Sequence, residues 1–231
     1  MNQLNKLNIN KHNIYYFNNI LLFCLFKSKI NTLYFQNIKN YSFNNKFNNK
    51  MINIENTIEE YVAQVDEHDN VINKITRKQL RKDNLIHRSN SIFIFNPRTN
   101  KYAIQIRSLK KEYCPGYYDL VTGGIIGYNE DLNKAVLREL NEEMGVNLSD
   151  CSNELNKLKY ITKIFYNSDY TRLWTYVYFL EYDGEFKFND GEVTGVVYWS
   201  KDEIIEKIKS NEKICPDTVH VFKELINQNL I

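Results

Sequence analysis

The amino-acid sequence predicts an α/β (α+β) sandwich in which a mixed β-sheet carries helices on both sides. Three observations support this fold class: several short segments alternate apolar and polar residues, one long segment repeats its apolar residues every three or four positions, and two shorter helical segments end the chain. Alternation is typical of half-buried strands, and the longer period is typical of an amphipathic helix. Strands interspersed with helices bury their apolar faces most simply as stacked layers.

The first half of the folded region is predicted to consist mainly of hairpins. Residues 61–76 contain the alternating segments YVAQVD and VINKIT on either side of the polar turn EHDN. A short charged helix is predicted at 76–83. Strands at 87–95 and 102–107 follow, and the intervening NPRTNK contains the Asn and Pro residues that favour a turn.

The longest helix is predicted at 130–144, after a loop at 109–118 and a strand at 119–126. Acidic residues occupy the first turn of this helix, an apolar stripe runs along it, and Gly145 ends it. The remaining segments supply three strands and two helices, predicted at 160–166, 173–182 and 193–199 and at 201–209 and 218–227.

The charge distribution divides the chain near Met51. Residues 1–50 contain seven lysines and no acidic residue, whereas residues 51–231 contain 23 basic and 28 acidic residues. The Asn- and Lys-rich leader has neither a turn pattern nor an apolar period. We therefore predict that residues 1–50 are disordered or a targeting segment and that residues 51–231 form the folded domain.

Two interpretations of the leader remain open. Its apolar run at 20–26 follows two lysines, as in a secretory signal, and the acid-free residues 28–50 resemble an organelle transit peptide. A targeting leader would direct the protein to an organelle, either a plastid or a mitochondrion. In the alternative, the Asn and Lys excess reflects nucleotide composition, translation starts at Met51, and the protein is cytoplasmic.

Composition excludes several classes of protein. No uncharged apolar run approaches the roughly 18 to 20 residues of a membrane-spanning helix. The four cysteines are scattered, without the C-x-x-C pair of a zinc knuckle or redox dithiol. Residues 51–231 are net acidic and lack an Arg-rich face or an RNA-binding signature, so no nucleic-acid partner is expected. The sequence carries no indication of an oligomeric state.

One motif between residues 124 and 146 carries the chemistry. Its pattern is G-(x5)-E-(x7)-R-E-L-x-E-E-x-G-V, and the residues at its defined positions are Gly124, Glu130, Arg138, Glu139, Leu140, Glu142, Glu143, Gly145 and Val146. Seven of these positions demand a single residue type. At usages of about 7% each, a chance match at a given start is on the order of one in a hundred million.

The spacing of the glutamates points to a cation. Glu139, Glu142 and Glu143 stand at i, i+3 and i+4, so they share one helix face on which like charges destabilise the helix. Hard divalent cations such as Mg²⁺ or Mn²⁺ prefer oxygen ligands and can bridge to phosphate. A solvated acidic face would explain any two of these glutamates, but it would not explain the flanking glycines.

The motif resembles the Nudix box, the signature of hydrolases that cleave nucleoside or other diphosphates linked to a further moiety. The resemblance implies a Nudix-type domain over residues 51–231. It also implies metal-dependent hydrolysis of a diphosphate linkage in a nucleoside diphosphate-type or other organic diphosphate substrate, with Mg²⁺ or Mn²⁺ activating a water molecule. The expected partner is therefore a small-molecule diphosphate.

The roles of the box residues in that family are carried over to the matching positions. Glu142 and Glu143 would be metal ligands, and Glu139 would be a ligand or the base that activates water. Arg138 would orient a box carboxylate, Glu130 or Glu139, through a bidentate pair. Because Nudix families place the base differently, the catalytic candidates remain Glu139 and Glu142 together with Arg138.

A longer stretch, residues 61–146, resembles the Nudix hydrolases closest to isopentenyl diphosphate isomerase. The shared features are a V-D-E-x-x-x-V strand, the His-Arg pair at 87–88, and a Q-x-R-S-x-x-K-x-x-x-P-G run at 105–116. In the isomerases the matching Arg and Lys hold the substrate diphosphate, so this role is carried to Arg107 and Lys111. The alternative is that both are solvated loop cations.

The chemistry of the isomerases does not carry over. Aligned on the Pro-Gly pair, their catalytic Cys falls on Gly123 and the neighbouring His ligand on Ile125. Of their histidine ligands only His87 has a counterpart, and a lone His is more often structural. Hydrolysis is therefore favoured over an isomerase-like enzyme and over a catalytically silent ligand-binding module, which would have lost a box glutamate.

Two further residues complete the candidate site. Many Nudix proteins place an acidic residue late in the chain, so Glu192, in the segment DGEV, would be an additional ligand or base. The equally good alternative is that Glu192 is an exposed glutamate at the entry to a strand. Gly124 opens the box, beside the helix that carries the glutamates.

Overall fold

The computed structural model describes residues 59–148 and 157–231. Eight strands in these ranges form one mixed sheet: β1 (Tyr61–Val65), β2 (Val71–Thr76), β3 (Ile86–Asn96), β4 (Lys101–Arg107), β5 (Tyr118–Asp119), β6 (Leu158–Asn167), β7 (Arg172–Glu181) and β8 (Val193–Trp199). The helices there are α1 (Arg77–Lys82), α2 (Leu132–Met144), α3 (Lys201–Lys209) and α4 (Pro216–Asn227). The predicted leader, residues 1–50, and the boundary at Met51 lie outside the described residues.

The sheet is organised around β3. This strand runs parallel to β7 along most of its length and antiparallel to β1, and the outer strands β2 and β6 pair antiparallel with β1 and β7. On its other side, β3 pairs with β4 only next to their turn, at Phe95–Tyr102 and Asn96–Lys101. Beyond these pairs β3 and β4 diverge, and β4 continues by pairing with β5 and β8.

A chain segment enters the gap between β3 and β4. The backbone N–H of Ile92 donates to the carbonyl of Thr122 at 2.8 Å, and that of Asn90 donates to the carbonyl of Gly124 at 3.0 Å. The strand predicted at 119–126 is therefore wrong in extent, because regular strand structure is confined to Tyr118–Asp119 and is followed by isolated bridges. The segment bends at Leu120 and Val121, directly after β5. It then approaches β3 so closely at Gly123, which has φ +149, that a Cβ there would lie 2.3 Å from the Asn90 carbonyl oxygen.

The sheet has an apolar core on each face, as the fold class predicts. Alternating residues of β3 serve both cores: Ile92 and Ile94 pack beneath Leu140 of α2, whereas Phe93 packs against Phe222 of α4. All five side chains are at most 1% exposed. Helices therefore cover both faces, and the α/β sandwich is confirmed.

Two helix starts differ from the sequence prediction by two residues, and the helix predicted at 76–83 is one residue shorter at each end. Helix α2 begins at Leu132 and not at residue 130, because the Asp131 side chain caps it by accepting from the N–H groups of Asn133 and Lys134. Acidic residues therefore precede the first turn and do not occupy it. Helix α4 begins at Pro216, two residues before the predicted start, and proline is favoured at that first position.

The predicted end of α2 is confirmed at Gly145, which has the left-handed φ of +64. None of the helices within residues 59–148 and 157–231 is long and apolar enough to cross a membrane.

Candidate active site

Helix α2 presents two of its glutamates to the interior and one to solvent. Glu139 and Glu143 are 8% and 1% exposed, whereas Glu142 is exposed. Around the helix, Glu139 and Glu143 lie closer to one another than either lies to Glu142. Glu142 therefore lies off the buried face that the three glutamates were expected to share. The two buried carboxylates face the loop that carries Gly123 and Gly124.

Glu143 has protein partners at both carboxylate oxygens. Its Oε1 accepts from Lys111 Nζ at 3.0 Å, and its Oε2 accepts from Gln105 Nε2 at 3.0 Å and from the backbone N–H of Gly123 at 3.1 Å. Burial raises the pKa of Glu143, and the attraction of Lys111 offsets this only in part. The carboxylate is thus held in one position in an environment that disfavours its charge.

Of the two carboxylate oxygens of Glu139, one accepts a hydrogen bond from the described residues and the other accepts none. Its Oε1 accepts from Arg138 Nη1 at 2.7 Å. Burial, together with repulsion from Glu143, raises the pKa of Glu139 to about 7. Gly124 lies so close that a Cβ there would be 2.5 Å from Glu139 Oε1, so the first glycine of the box makes room for this carboxylate.

Arg138 contacts three carboxylates, two on α2 and one in the loop before it. Its Nε and Nη2 donate to the two oxygens of Glu130 at 2.8 and 3.1 Å, a bidentate pair, and its Nη1 reaches Glu139 and, at 3.1 Å, Glu142. Burial would raise the pKa of Glu130, but Arg138 and the Gly127 N–H, which donates to it, lower it overall. Arg138 and Glu130 therefore hold the loop before α2 to the box helix.

Lys111 and Glu192 meet at the same site. Lys111 Nζ contacts Glu192 as well as Glu143, so a residue from the entry to β8 joins the box although it is distant in sequence. Burial lowers the pKa of Lys111, but the attraction of Glu143 and Glu192 outweighs it and raises the pKa overall. Lys111 is the cation that compensates the inner end of the box.

Arg107, the second expected diphosphate-binding cation, pairs with a carboxylate outside the box. Its Nη1 donates to Asp119 at 2.8 Å and its Nη2 to the Tyr113 carbonyl at 2.7 Å. The Arg107 and Asp119 side chains are 10% and 9% exposed. The structure therefore brings Lys111 to the box glutamates and places Arg107 in a separate buried ion pair.

The chemistry of the donors suits a hard divalent cation. Glu139 and Glu143 are oxygen donors on one helix face, and the pKa of each is raised, so added positive charge between them would be stabilising. Within the described ranges, no three His, Cys, Asp or Glu side chains converge closely enough to hold one ion. Arg138 and Lys111 each pair with a different one of these two carboxylates.

A cavity of about 1050 Å³ opens beside this site, and Lys111, Gly123, Gly124 and Glu192 belong to its wall. Further lining comes from α1, from β3, from the loop after β4 and from the start of α4, and the ion pair of Arg107 and Asp119 is also part of the wall. A volume of this size can accommodate a nucleotide-sized molecule. Glu139 and Glu143 lie directly behind the cavity wall, in contact with Gly124 and Lys111.

His87 lies in this wall as a buried neutral side chain. It is 2% exposed, its Nδ1 is 3.2 Å from the Leu85 carbonyl oxygen, and burial lowers its pKa to about 4. The histidine is thus uncharged near neutral pH, in keeping with a structural role.

Sequence reasoning missed several polar residues of the cavity. Gln105 lies within the quoted Q-x-R-S run but was assigned no role, and nothing in the sequence marked Thr171 or Asp217. Arg81 could have been found, because Arg77 and Arg81 stand four residues apart and repeat the like-charge spacing of the glutamates.

Comparison with known proteins gives matches over this region. Residues 85–218 match the NUDIX domain. An uncharacterized Nudix hydrolase of Pseudomonas aeruginosa is 28% identical over 164 residues, which cover 71% of this chain and 92% of that protein. Isopentenyl-diphosphate Delta-isomerase 1 of Photorhabdus laumondii is 31% identical over 159 residues, covering 68% and 88%.

A solved structure also shares the fold. The crystal structure of DR0079 from Deinococcus radiodurans superposes with a TM-score of 0.60 at 23% identity, over 71% of this chain and 98% of that one. The likeness extends over nearly the whole of that protein and supports the mixed sheet with its two helical layers.

Proposed function

This chain belongs to the Nudix family as a Nudix hydrolase, and from that membership we propose that it cleaves a diphosphate linkage in a nucleoside diphosphate-type or other organic diphosphate. We place the catalytic domain at residues 51–231 and treat residues 1–50 as a leader. One observation carries the proposal: two buried carboxylates with raised pKa values, Glu139 and Glu143, lie directly behind a nucleotide-sized cavity.

Glu139, Glu142 and Glu143 are the residues that would hold Mg²⁺ or Mn²⁺. A bound divalent cation polarises a phosphoryl oxygen and lowers the pKa of a coordinated water. Glu142 is exposed and can turn toward Glu139, since Arg138 already contacts both. Glu143 can present Oε1 once Lys111 releases it, while Gln105 and the Gly123 N–H keep Oε2 in place.

Glu139 is the residue best suited to accept a proton from the attacking water. Before a cation binds, burial and repulsion from Glu143 raise its pKa to about 7, and a bound divalent cation would lower that value. Arg138 Nη1 binds Oε1, which leaves Oε2 as the atom that can take the proton. Arg138 is thus a positioning residue, itself held by the bidentate pair with Glu130.

Lys111 is the residue best placed to contact the substrate diphosphate. In the structure its Nζ compensates Glu143 and Glu192, and it lines the cavity. When the charge of Glu143 is compensated otherwise, Lys111 can donate to a phosphate oxygen instead. Arg107 lines the same cavity, and its contacts with Asp119 and the Tyr113 carbonyl also hold the loop that carries Lys111.

An isomerase-like activity is the second candidate, favoured by the 31% identity to the Photorhabdus laumondii isomerase. The position that matches the catalytic Cys of isomerases is Gly123 in this chain. A Cβ at Gly123 would lie 2.3 Å from the backbone oxygen of Asn90, so no side chain fits there. Hydrolysis therefore remains the better proposal.

The test is a substrate screen with the full chain. Nucleoside diphosphate derivatives, dinucleoside polyphosphates and short prenyl diphosphates are incubated with Mg²⁺ or Mn²⁺, and hydrolysis products and isomerised prenyl diphosphates are both quantified. We expect metal-dependent hydrolysis of at least one class, lost in Glu143→Gln and retained in Glu206→Gln, a matched change at an exposed glutamate of α3. Isomerisation without hydrolysis would overturn the proposal in favour of the second candidate.

A further inference from the structure

One arginine of the cavity lacks the carboxylate partner that all the others have. All seven arginines lie in the described ranges, and six form ion pairs: Arg77 with Glu60, Arg88 with Asp69, Arg98 with Asp183, Arg107 with Asp119, Arg138 with Glu130 and Arg172 with Glu67. Arg81, at the end of α1, forms none. Its side chain lines the cavity.

The environment of Arg81 makes this missing partner costly. Its Nε is buried and has no hydrogen-bond partner within the protein. Burial lowers the pKa of Arg81 and the like charge of Arg77 lowers it further, against a weaker attraction from Glu112 and Asp217. A desolvated cation without a counter-charge destabilises a fold unless something else compensates it.

The unpartnered groups are concentrated in this cavity. In the described part of the chain, four residues have buried side-chain nitrogen or oxygen atoms without a protein partner: Arg81, Asn90, Thr171 and Trp174. The first three line the cavity. Asn90 and Thr171 are each 3% exposed. Buried polar groups are normally hydrogen-bonded, so the cavity has the features of a site built for a polar ligand.

We propose that Arg81, supported by the hydroxyl of Thr171, binds a phosphate group of the substrate. The inference rests on the proposed function, which supplies a phosphate-bearing ligand. A guanidinium offers a planar fork of N–H donors that matches two oxygens of a phosphate, and the Thr171 hydroxyl can donate to a third. The phosphate is either part of the cleaved diphosphate or a separate phosphate on the organic moiety.

The experiment measures binding without turnover. Inorganic pyrophosphate and inorganic phosphate are titrated by calorimetry into the full chain in the presence of a chelator, for the wild type, Arg81→Gln, Arg81→Lys and Arg98→Gln. Arg98 is the matched control, because its side chain is 71% exposed and pairs with Asp183 away from the cavity lining. We expect Arg81→Gln to weaken affinity about ten- to a hundredfold, Arg81→Lys to restore part of it, and Arg98→Gln to bind like the wild type.

Thermal melting distinguishes phosphate binding from a structural role, under which Arg81→Gln would be less stable than the wild type. Thermal melting without ligand should show Arg81→Gln at least as stable as the wild type, since the substitution removes an uncompensated charge. Unchanged affinity in Arg81→Gln, or no pyrophosphate binding by the wild type, would overturn the inference. If Arg81→Gln fails to fold, the same titration with Arg81→Lys and Thr171→Val decides, and wild-type affinity in both overturns it.

The source of the phosphate follows from kinetics on the substrates found in the screen. If Arg81→Gln raises KM for every diphosphate substrate, Arg81 contacts the cleaved diphosphate. If KM rises only for substrates with an additional phosphate, Arg81 contacts that separate group. A chain that binds pyrophosphate through Arg81 but hydrolyses nothing would contradict the proposed function alone. A chain that hydrolyses a diphosphate with affinity and KM indifferent to Arg81 would contradict this inference alone.

Discussion

Two regions beside the cavity differ in how their polar groups are compensated. In the first, which we call the box side, every carboxylate has a cation; its members are Glu139, Glu143, Lys111 and Glu192. In the second, which we call the open side, buried polar atoms have no partner within the protein; its members are Arg81, Asn90 and Thr171. The box side is compensated within the protein, whereas the open side offers unpaired groups to the ligand proposed above.

The two sides therefore have different expected roles in the reaction. Paired groups keep their geometry without a substrate, and geometry is what chemistry at phosphorus requires. Unpaired buried groups cost stability, roughly 1 to 3 kcal/mol each, and that cost is recovered only when a ligand satisfies them. We therefore expect changes to the box-side glutamates to act mainly on turnover, and changes to Lys111 and to the open side to act mainly on binding.

The largest effect is expected for Glu143→Gln on the box side. It removes one inferred metal ligand while keeping the shape and the contacts to Gln105 and Gly123, so activity should fall about a hundredfold or more with the fold intact. Turnover and thermal melting are measured together. Retention of more than roughly a tenth of the activity would show that Glu143 is not a ligand.

Lys111→Ala and Arg107→Ala should differ in unfolding free energy, although both cations were assigned to the diphosphate. For both, the sequence predicts a larger rise in KM than loss of turnover, about ten- to a hundredfold. The geometry keeps that expectation for Lys111. Arg107→Ala should in addition cost about 3 kcal/mol of unfolding free energy, because Asp119 is left buried without its partner. Denaturant unfolding and steady-state kinetics distinguish the two, and an unchanged KM in both would make them structural.

Glu139 links stability to pH on the box side. Its pKa is raised from 4.5 to about 7, so the charged form is disfavoured in the folded protein and unfolding free energy should fall as pH rises from about 4.5 to 7. The loss is at most about 3 kcal/mol for this group. Denaturant unfolding in chelator should show the slope, and Glu139→Gln should flatten it. The same substitution should lower turnover more than it raises KM, and an unchanged slope would contradict the raised pKa.

The smallest effect is expected from removing residues 1–50. A variant beginning at Met51 should have the turnover and KM of the full chain, because the leader lacks the apolar pattern needed to offset ordering entropy. Insolubility or inactivity of this variant would show that the domain boundary is wrong.

Much of the fold was predictable because periodicity is a local property. The hairpin at 61–76, strand β8 and helix α3 lie where their patterns place them. The strand at 119–126 was wrong in extent because the segment leaves β4 after Asp119 and approaches β3, which is distant in sequence from it. The start of α2 differed because a side-chain cap, and not the charge pattern, sets it.

The sequence by itself determined the family and the residues of the box, since a helix places residues three and four apart on neighbouring positions whatever surrounds it. The tertiary structure decided which of those residues are buried, which cation serves which carboxylate, and that Arg81 has no partner. These features depend on contacts such as that between Lys111 and Glu143, which are 32 residues apart and meet only when the loop packs on the helix. Charge compensation is a property of the assembled interior, because burial and neighbours together set the free energy of each ionised group.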